Sequence, residues 1–154
     1  MHEPPKESPS GLSTVILVVR RVIQATPERL FAAWTSPEAL KKWWGPQSVV
    51  CPSAEVDLRV GGHYRIANQF PDGRILWITG EFEVIERPTR LIYSWQVGAD
   101  PGARERVSVL FAALAGGDTE VIVTHERIAS PALRDRHEQG WRGCLDGLER
   151  YISG

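Results

Sequence analysis

Two histidines occupy positions that would otherwise be apolar, and an imidazole in apolar surroundings can carry chemistry. His125 continues the alternating row of Val121 and Val123, and His137 falls on the apolar side of a C-terminal amphipathic segment. Three roles are open to each histidine. It is a structural residue, buried and hydrogen-bonded to the backbone or to Tyr64; a polar anchor for a ligand carbonyl or hydroxyl; or an acid–base catalyst. Catalysis is the least favoured of these, because no carboxylate is predicted on the inner face to orient an imidazole.

The motifs of other reactive sites are missing from the sequence. It contains no His-x-x-x-His or His-Glu-x-x-His pair, and His63 is predicted to face outwards, so we predict no metal site and no cofactor. A Gly-x-Ser-x-Gly elbow is also missing, and Cys51 and Cys144 have no neighbouring base, which argues against a hydrolase nucleophile. We therefore assign no catalytic residue.

The composition excludes several classes of protein. The chain has 154 residues, of which 42% are hydrophobic and 24% charged, which is typical of one globular domain. A net charge of -1 provides no bulk field for nucleic acid, so no specific nucleic-acid binding is expected. The longest aliphatic run, residues 15–19, is too short for membrane insertion or a signal peptide. Two cysteines cannot build a disulfide scaffold, and we predict a cytoplasmic protein.

The elements that must position the histidines begin after an N-terminal segment. Residues 1–12 hold three prolines and three charges, so we expect a disordered, dispensable tail followed by a single domain over residues 13–154. A β-branched, apolar run predicts a first strand over residues 14–24. Thr26-Pro27-Glu28 and Ser36-Pro37-Glu38 each supply an N-cap, a proline at the first helical position and an acid in the first turn. They predict two short helices.

The rest of the chain reads as a sheet followed by one long helix. Residues 49–128 form six short alternating segments separated by turn residues, which predicts an antiparallel meander, with Gly61-Gly62 as a hairpin turn. Ser130-Pro131 starts a helix that we expect to end at Ile152. Its apolar arc, which must face the sheet, holds His137, Trp141, Cys144, Leu145, Leu148 and Ile152. The predicted fold class is α+β: a curved antiparallel sheet of about seven strands (β-α-α-β6-α) wrapped on a long C-terminal helix.

Strand alternation predicts which side chains face that helix. The inner face is assigned Tyr64 and Ile66 on the third strand, Leu76, Ile78, Gly80, Phe82 and Val84 on the fourth, Leu91, Tyr93 and Trp95 on the fifth, Val107, Val109 and Phe111 on the sixth, and Val121, Val123 and His125 on the seventh. Six tryptophans outnumber the four phenylalanines and three tyrosines, so the interior must house unusually large rings.

The order of several motifs adds a resemblance. They are Trp34-Thr35-Ser36-Pro37, Trp43-Trp44-Gly45-Pro46, Asp57-Leu58-Arg59-Val60-Gly61-Gly62, Arg90-Leu91-Ile92-Tyr93-Ser94-Trp95, Val123-Thr124-His125 and Gly140-Trp141. In this order they resemble the SRPBCC superfamily, with its Bet v 1/START-like helix-grip fold. Within it, the sequence is similar to the family named after the C-terminal domain of the activator of Hsp90 ATPase. The resemblance covers about residues 14–152 and implies a large apolar cavity between the sheet and the long helix.

The same resemblance leaves several functions open, because the superfamily includes lipid carriers, hormone and flavonoid binders, aromatase/cyclases and co-chaperone modules. Co-chaperones of this kind carry a further N-terminal domain where this sequence has only the tail, so we expect the Hsp90 role not to carry over. We expect instead the binding of a small hydrophobic or amphipathic ligand. The predicted cavity residues are Tyr64, Phe82, Trp95, Phe111, His125, His137 and Trp141.

Two other functions remain as alternatives, and the chain's status as an enzyme stays open. An aromatase/cyclase-like enzyme would use a cavity histidine with a tyrosine hydroxyl, and would need two converging titratable groups in the cavity. A protein-interaction module of unknown partner would instead have a collapsed cavity and an exposed apolar patch at Trp77 or at Trp43-Trp44. The last helix contains Gly140, Gly143 and Gly147. These glycines either permit the helix to pack closely against a neighbouring element or weaken the helix so that it opens the cavity as a lid.

Overall fold

A computed structural model of the chain describes residues 15–46, 48–99 and 104–154. Its elements, in chain order, are β1 (Val15–Ile23), α1 (Pro27–Thr35), α2 (Pro37–Trp43), β2 (Ala54–Val56), β3 (His63–Gln69), β4 (Ile75–Glu86), β5 (Arg90–Val97), β6 (Glu105–Ala113), a 3₁₀ turn (Ala115–Gly117), β7 (Thr119–Ile128) and α3 (Pro131–Ser153). The predicted α+β helix-grip architecture is confirmed. The predicted tail, residues 1–12, lies outside the described residues, and its dispensability stays a prediction.

The seven strands form one antiparallel sheet in the order β1-β7-β6-β5-β4-β3-β2. Because β2 to β7 follow one another as a meander, only the β1–β7 pairing joins distant parts of the sequence. The register places Trp95 on β5 directly opposite Glu105 on β6, and Val107 on β6 directly opposite His125 on β7. Glu105 and Val107 are two residues apart, so Trp95, Glu105 and His125 share one face of the sheet.

Each helix begins at the cap that the sequence predicts. The hydroxyl of Thr26 accepts a hydrogen bond from the backbone N–H of Arg29 at the start of α1. Ser36 and Ser130 cap α2 and α3 in the same way, and in all three helices a proline occupies the first turn, where no backbone donor is needed. No helix within residues 15–46, 48–99 and 104–154 is long and apolar enough to cross a membrane.

The helix α3 covers the concave face of the sheet and is held unequally along its length. A methyl group at Gly147 would overlap the backbone carbonyl of Trp43, so this glycine permits α2 and α3 to pack closely. Arg21 of β1 pairs with Asp146 at 2.9 Å and Glu149 at 2.6 Å, on the same C-terminal half of the helix. A methyl group at Gly140, in contrast, would meet no atom within 4 Å.

The inner-face assignments hold for β3, β5, β6 and β7, whose predicted inward side chains are buried. The assignment of Val84 on β4 is wrong. The β4–β5 register shifts between Phe82 and Val84, and Ile85, opposite the buried Leu91, packs against the core instead. A bulge adds one residue to a strand and so reverses the alternation beyond it, an insertion that the residue pattern did not reveal.

Tryptophans fill much of the core beneath α1 and α2. Trp34 stacks on Trp141 with ring centroids 6.0 Å apart, and it meets Trp43 at 5.1 Å and Phe111 at 5.8 Å. Five of the six tryptophans are 6% exposed or less. The rings of Trp34 and Trp43 therefore fill one end of the space between the sheet and the helices.

Candidate functional site

The other end of that space is an open cavity of about 500 Å³ beneath the N-terminal half of α3. Its mouth lies beside Leu76 and Arg136, which line it and are exposed. The wall is mostly apolar and includes Trp44, Phe70, Leu76, Ile78, Val97, Leu133 and Gly140. The polar side chains that line it include Asn68, Glu105, Arg136 and His137. A concave apolar site with a few placed polar groups is the usual form of a small-molecule pocket.

Glu105 is the buried carboxylate that the sequence analysis did not expect. It is the first residue of β6, lies on the inner face with Val107, and is only 6% exposed. The expectation that no carboxylate faces inwards is therefore wrong. The alternation that assigned Val107 to the inner face places Glu105 there too, two residues earlier.

Glu105 joins two histidines and a tryptophan in one hydrogen-bonded cluster. Its Oε1 lies 2.7 Å from Nε2 of His125 and 3.0 Å from Nε2 of His137. Nδ1 of His125 accepts a hydrogen bond of 2.9 Å from the indole N–H of Trp141. The two imidazole rings are stacked, with centroids 4.4 Å apart and planes inclined by 14°. The sheet thus supplies Glu105 and His125, and α3 supplies His137 and Trp141.

The tryptophan in this cluster determines which nitrogen of His125 carries the proton. An indole N–H is only a donor, so Nδ1 of His125 must be the acceptor and Nε2 must carry the hydrogen. Nε2 therefore donates to Glu105. A charged imidazolium would direct a second N–H against the N–H of Trp141, which favours the neutral ring. Burial lowers the pKa of His125, although the hydrogen bond to Glu105 opposes that effect.

The charge of the cluster resides on Glu105. Burial by itself favours the protonated acid, but the hydrogen bonds from His125 and His137 together outweigh it and lower the pKa of Glu105 from its ordinary 4.5 to about 2. The side chain is therefore a carboxylate at neutral pH, and both histidine Nε2 atoms donate to it. This cluster is a pair of imidazoles oriented by one buried anion.

Glu105, His125 and His137 also have the residue types of a metal site, and their candidate ligand atoms lie within 4.8 Å of one another. The hydrogen bonds do not suit a metal. A metal needs the bare nitrogen of a neutral histidine. To bind at Nε2, His125 would have to move its proton to Nδ1, where the N–H of Trp141 already points. As arranged, these side chains fit a hydrogen-bonded cluster, and the lack of a bound metal stays our prediction.

The indole N–H of Trp95 is a buried donor behind the cavity wall. Trp95 is 6% exposed, its Nε1 is closed to solvent, and that nitrogen has no hydrogen-bond partner among the described residues. Each of the other four buried tryptophans donates to an acceptor; these are Tyr93 for Trp34, Ala33 for Trp43, Asn68 for Trp44 and His125 for Trp141. An unmade buried hydrogen bond costs about 1–3 kcal/mol. Trp95 therefore contributes its ring, rather than its N–H, to the surface that a bound molecule meets.

The structure brings together only part of the predicted site. Trp95, His137 and Trp141 line the cavity. His125 lies behind this wall, is 0% exposed, and takes part through Glu105 and Trp141.

The three remaining predicted residues lie elsewhere, in the filled part of the inner face. Tyr64 and Phe82 line a separate cleft of about 20 Å³, and Phe111 packs edge-on against Phe31. The hydroxyl of Tyr64 donates to the carbonyl of Ser94 at 2.7 Å, rather than to either histidine. These three side chains are not part of the site that we propose below.

Known proteins include a matching family and several solved structures that are similar to this chain. A family model described as "Activator of Hsp90 ATPase homolog 1-like protein" matches residues 24–153. A solved protein from Chromobacterium violaceum is 27% identical, with 88% of this chain and 96% of that chain covered and a TM-score of 0.77. One from Rhodobacter sphaeroides is also 27% identical, with 92% and 94% covered and a TM-score of 0.78.

A more distant match shares the fold alone. An Hsp90 activator from Plasmodium falciparum is 23% identical, with 90% of this chain and 96% of that chain covered and a TM-score of 0.71. No curated protein matches the chain.

Proposed function

This chain belongs to the family of activator of Hsp90 ATPase homolog 1-like proteins, and we propose that it binds a small amphipathic molecule in the cavity beneath α3. The observation that carries this proposal is an open cavity of about 500 Å³ whose walls are mainly apolar and whose deep polar groups are gathered in one place. Such a cavity offers burial to the body of a ligand and hydrogen bonds to its head.

The two ends of the cavity support an orientation for the ligand. Leu76, at the exposed mouth, and Phe70 offer apolar contact, whereas Glu105 and His137 are held by strand and helix at the closed end. Burial of apolar surface supplies about 25 cal/mol per Å². The apolar body of the ligand would therefore lie along the β4–β5 wall, with its polar head against the Glu105 cluster.

A cavity-filling variant tests the proposal. A leucine at Gly140 would project into open space within the cavity, and it is a better helix former than glycine, so the fold should be kept. The matched control is Gln139→Leu, which adds the same side chain at the neighbouring exposed position. Ligands for the assay are 2-naphthol and 1-dodecanol, titrated while the indole N–H signals are followed by NMR.

We expect saturable shifts of the Trp95 and Trp44 signals in the wild type and in Gln139→Leu. In Gly140→Leu the affinity should fall by at least about tenfold, because the leucine occupies the binding volume. The proposal fails if neither compound shifts these signals, or if Gly140→Leu binds them as tightly as the wild type.

A second candidate function, acid–base catalysis, is favoured by one observation. Glu105 orients both imidazoles, so two titratable groups, Glu105 and His137, converge at the cavity wall. The version that pairs a histidine with a tyrosine hydroxyl has no support, because Tyr64 donates to the Ser94 carbonyl and Tyr93 accepts from Trp34. If the candidate is right, 2-naphthyl acetate added to wild type should be hydrolysed by water to 2-naphthol and acetate, and the 2-naphthol resonances should grow faster than with His137→Phe.

The interaction-module alternative receives less support. It required a collapsed cavity and an exposed patch, but Trp43 and Trp44 are buried and the Arg65 guanidinium lies 4.1 Å over the ring of Trp77. The relative from Plasmodium falciparum is named as an Hsp90 activator, which keeps a co-chaperone role as an alternative. A cytoplasmic location also stays a prediction; both cysteines, Cys51 and Cys144, are free.

A further inference from the structure

We infer that the polar end of the cavity selects a ligand with a neutral hydroxyl head, such as a phenol or an alcohol, over one with a carboxylate. This inference rests on the proposed binding function and adds the chemical class of the ligand. It follows from two features of the wall: a ring nitrogen without a donor, and a buried anion.

The acceptor is Nδ1 of His137. Ionised Glu105 can only accept hydrogen bonds, so Nε2 of His137 must carry the proton that it donates to Oε1. In the neutral ring, Nδ1 then has a free lone pair, and no partner for it occurs among the described residues. His137 lines the cavity, and its side chain is 15% exposed. A hydroxyl group matches this arrangement because it can donate its hydrogen to Nδ1 of His137, which an ether oxygen or a carboxylate cannot do.

The anion makes the wall unfavourable for a carboxylate. Glu105 is ionised and 6% exposed, and its only ion-pair partners among the described residues are His125 and His137. The cation that lines the cavity, Arg136, is at the exposed mouth rather than beside Glu105. An anionic head at the closed end would therefore face a second negative charge in apolar surroundings and an acceptor nitrogen that cannot donate to it.

The experiment compares three probes that share one apolar body. 2-Naphthol has a hydroxyl, 2-methoxynaphthalene has an oxygen that can only accept, and 2-naphthoate has a carboxylate. Dissociation constants are measured by calorimetry at pH 8 for wild type, His137→Phe and Trp95→Phe, with NMR spectra to verify that each variant is folded. Gly140→Leu serves as the variant with a blocked cavity.

Wild type should bind 2-naphthol about tenfold more tightly than 2-methoxynaphthalene, and should bind 2-naphthoate most weakly. His137→Phe should bring 2-naphthol and 2-methoxynaphthalene within about twofold of each other, because the acceptor for the hydroxyl hydrogen is gone. Trp95→Phe, which removes a buried N–H that the cavity does not expose, should leave the preference for 2-naphthol unchanged.

Two results would overturn the hydroxyl inference alone: 2-naphthoate binding as tightly as 2-naphthol, or His137→Phe keeping the preference for 2-naphthol. In either case, loss of binding in Gly140→Leu would leave the cavity proposal standing. If Gly140→Leu binds all three probes as well as wild type, or no probe binds at all, the proposed function fails and the inference fails with it.

Discussion

Replacing Glu105 with glutamine should make the protein less sensitive to acid. Folding lowers the pKa of this carboxyl from 4.5 to about 2, chiefly because the hydrogen bonds from His125 and His137 outweigh its burial. A group whose pKa is lowered by folding stabilises the protein above its unfolded pKa, and that stabilisation is lost as the pH falls towards the folded pKa. The full difference in pKa between the unfolded and folded states corresponds to at most about 3 kcal/mol in the free energy of unfolding, of which about 2 kcal/mol is lost between pH 5 and pH 3.

The assay is urea unfolding of wild type and Glu105→Gln at pH 5 and pH 3. Glutamine keeps an oxygen that can accept from both histidines but has no proton to gain. We therefore expect the variant to lose about 2 kcal/mol less free energy of unfolding over this interval than wild type. The control is Glu38→Gln, which removes an 81% exposed carboxylate that lies 3.5 Å from Lys41 and should behave like wild type because solvent screens that pair. Equal acid sensitivity of Glu105→Gln and wild type would refute the buried anion.

Two further predictions concern α3. Trp141→Phe should lower the free energy of unfolding by about 1–3 kcal/mol, because the buried Nδ1 of His125 loses its donor. Urea unfolding measures this loss. If the NMR shifts of the His125 ring nitrogens stayed the same as in wild type, the indole would not be what fixes the tautomer. Gly147→Ala should destabilise by about 1–3 kcal/mol through overlap with the Trp43 carbonyl, whereas Gly140→Ala should stabilise by up to about 1 kcal/mol. Urea unfolding of both variants tests this contrast, and a shift of the same sign in both would contradict it.

The helix boundaries and strand faces were largely predictable because their signals are local. A serine or threonine followed by proline and glutamate specifies a helix start through local contacts alone, namely a side-chain cap and the fixed backbone angle of proline, as at Thr26 and Ser36. The reversal at Val84 was not predictable in this way, since a bulge depends on the pairing of β4 with β5 rather than on residue type.

The site was harder to predict because it depends on where the helices lie over the sheet. Alternation placed Phe82, Phe111 and His125 on the same inner face, but whether a part of that face is filled or open depends on the positions of α1, α2 and α3. The inward position of Glu105 was predictable from the sequence, because Glu105 lies two residues before Val107 and so on the same face of β6. A buried carboxylate is tolerated at this position because two histidines donate hydrogen bonds to it, and those donors come together only in the folded chain.

The two halves of α3 are held by different kinds of contact. Residues 141–152 include all the buried residues of the helix, contact Trp43 through Gly147 and form the ion pairs with Arg21. The section before Trp141 spans the cavity and is held by polar contacts, from Arg134 to the carbonyl of Ile16 and from His137 to Glu105. Polar contacts beside a cavity open more readily than a packed core. Amide hydrogens of residues 135–140 should therefore exchange faster than those of residues 141–152, and a ligand would enter when these polar contacts open while residues 141–152 keep the sheet covered.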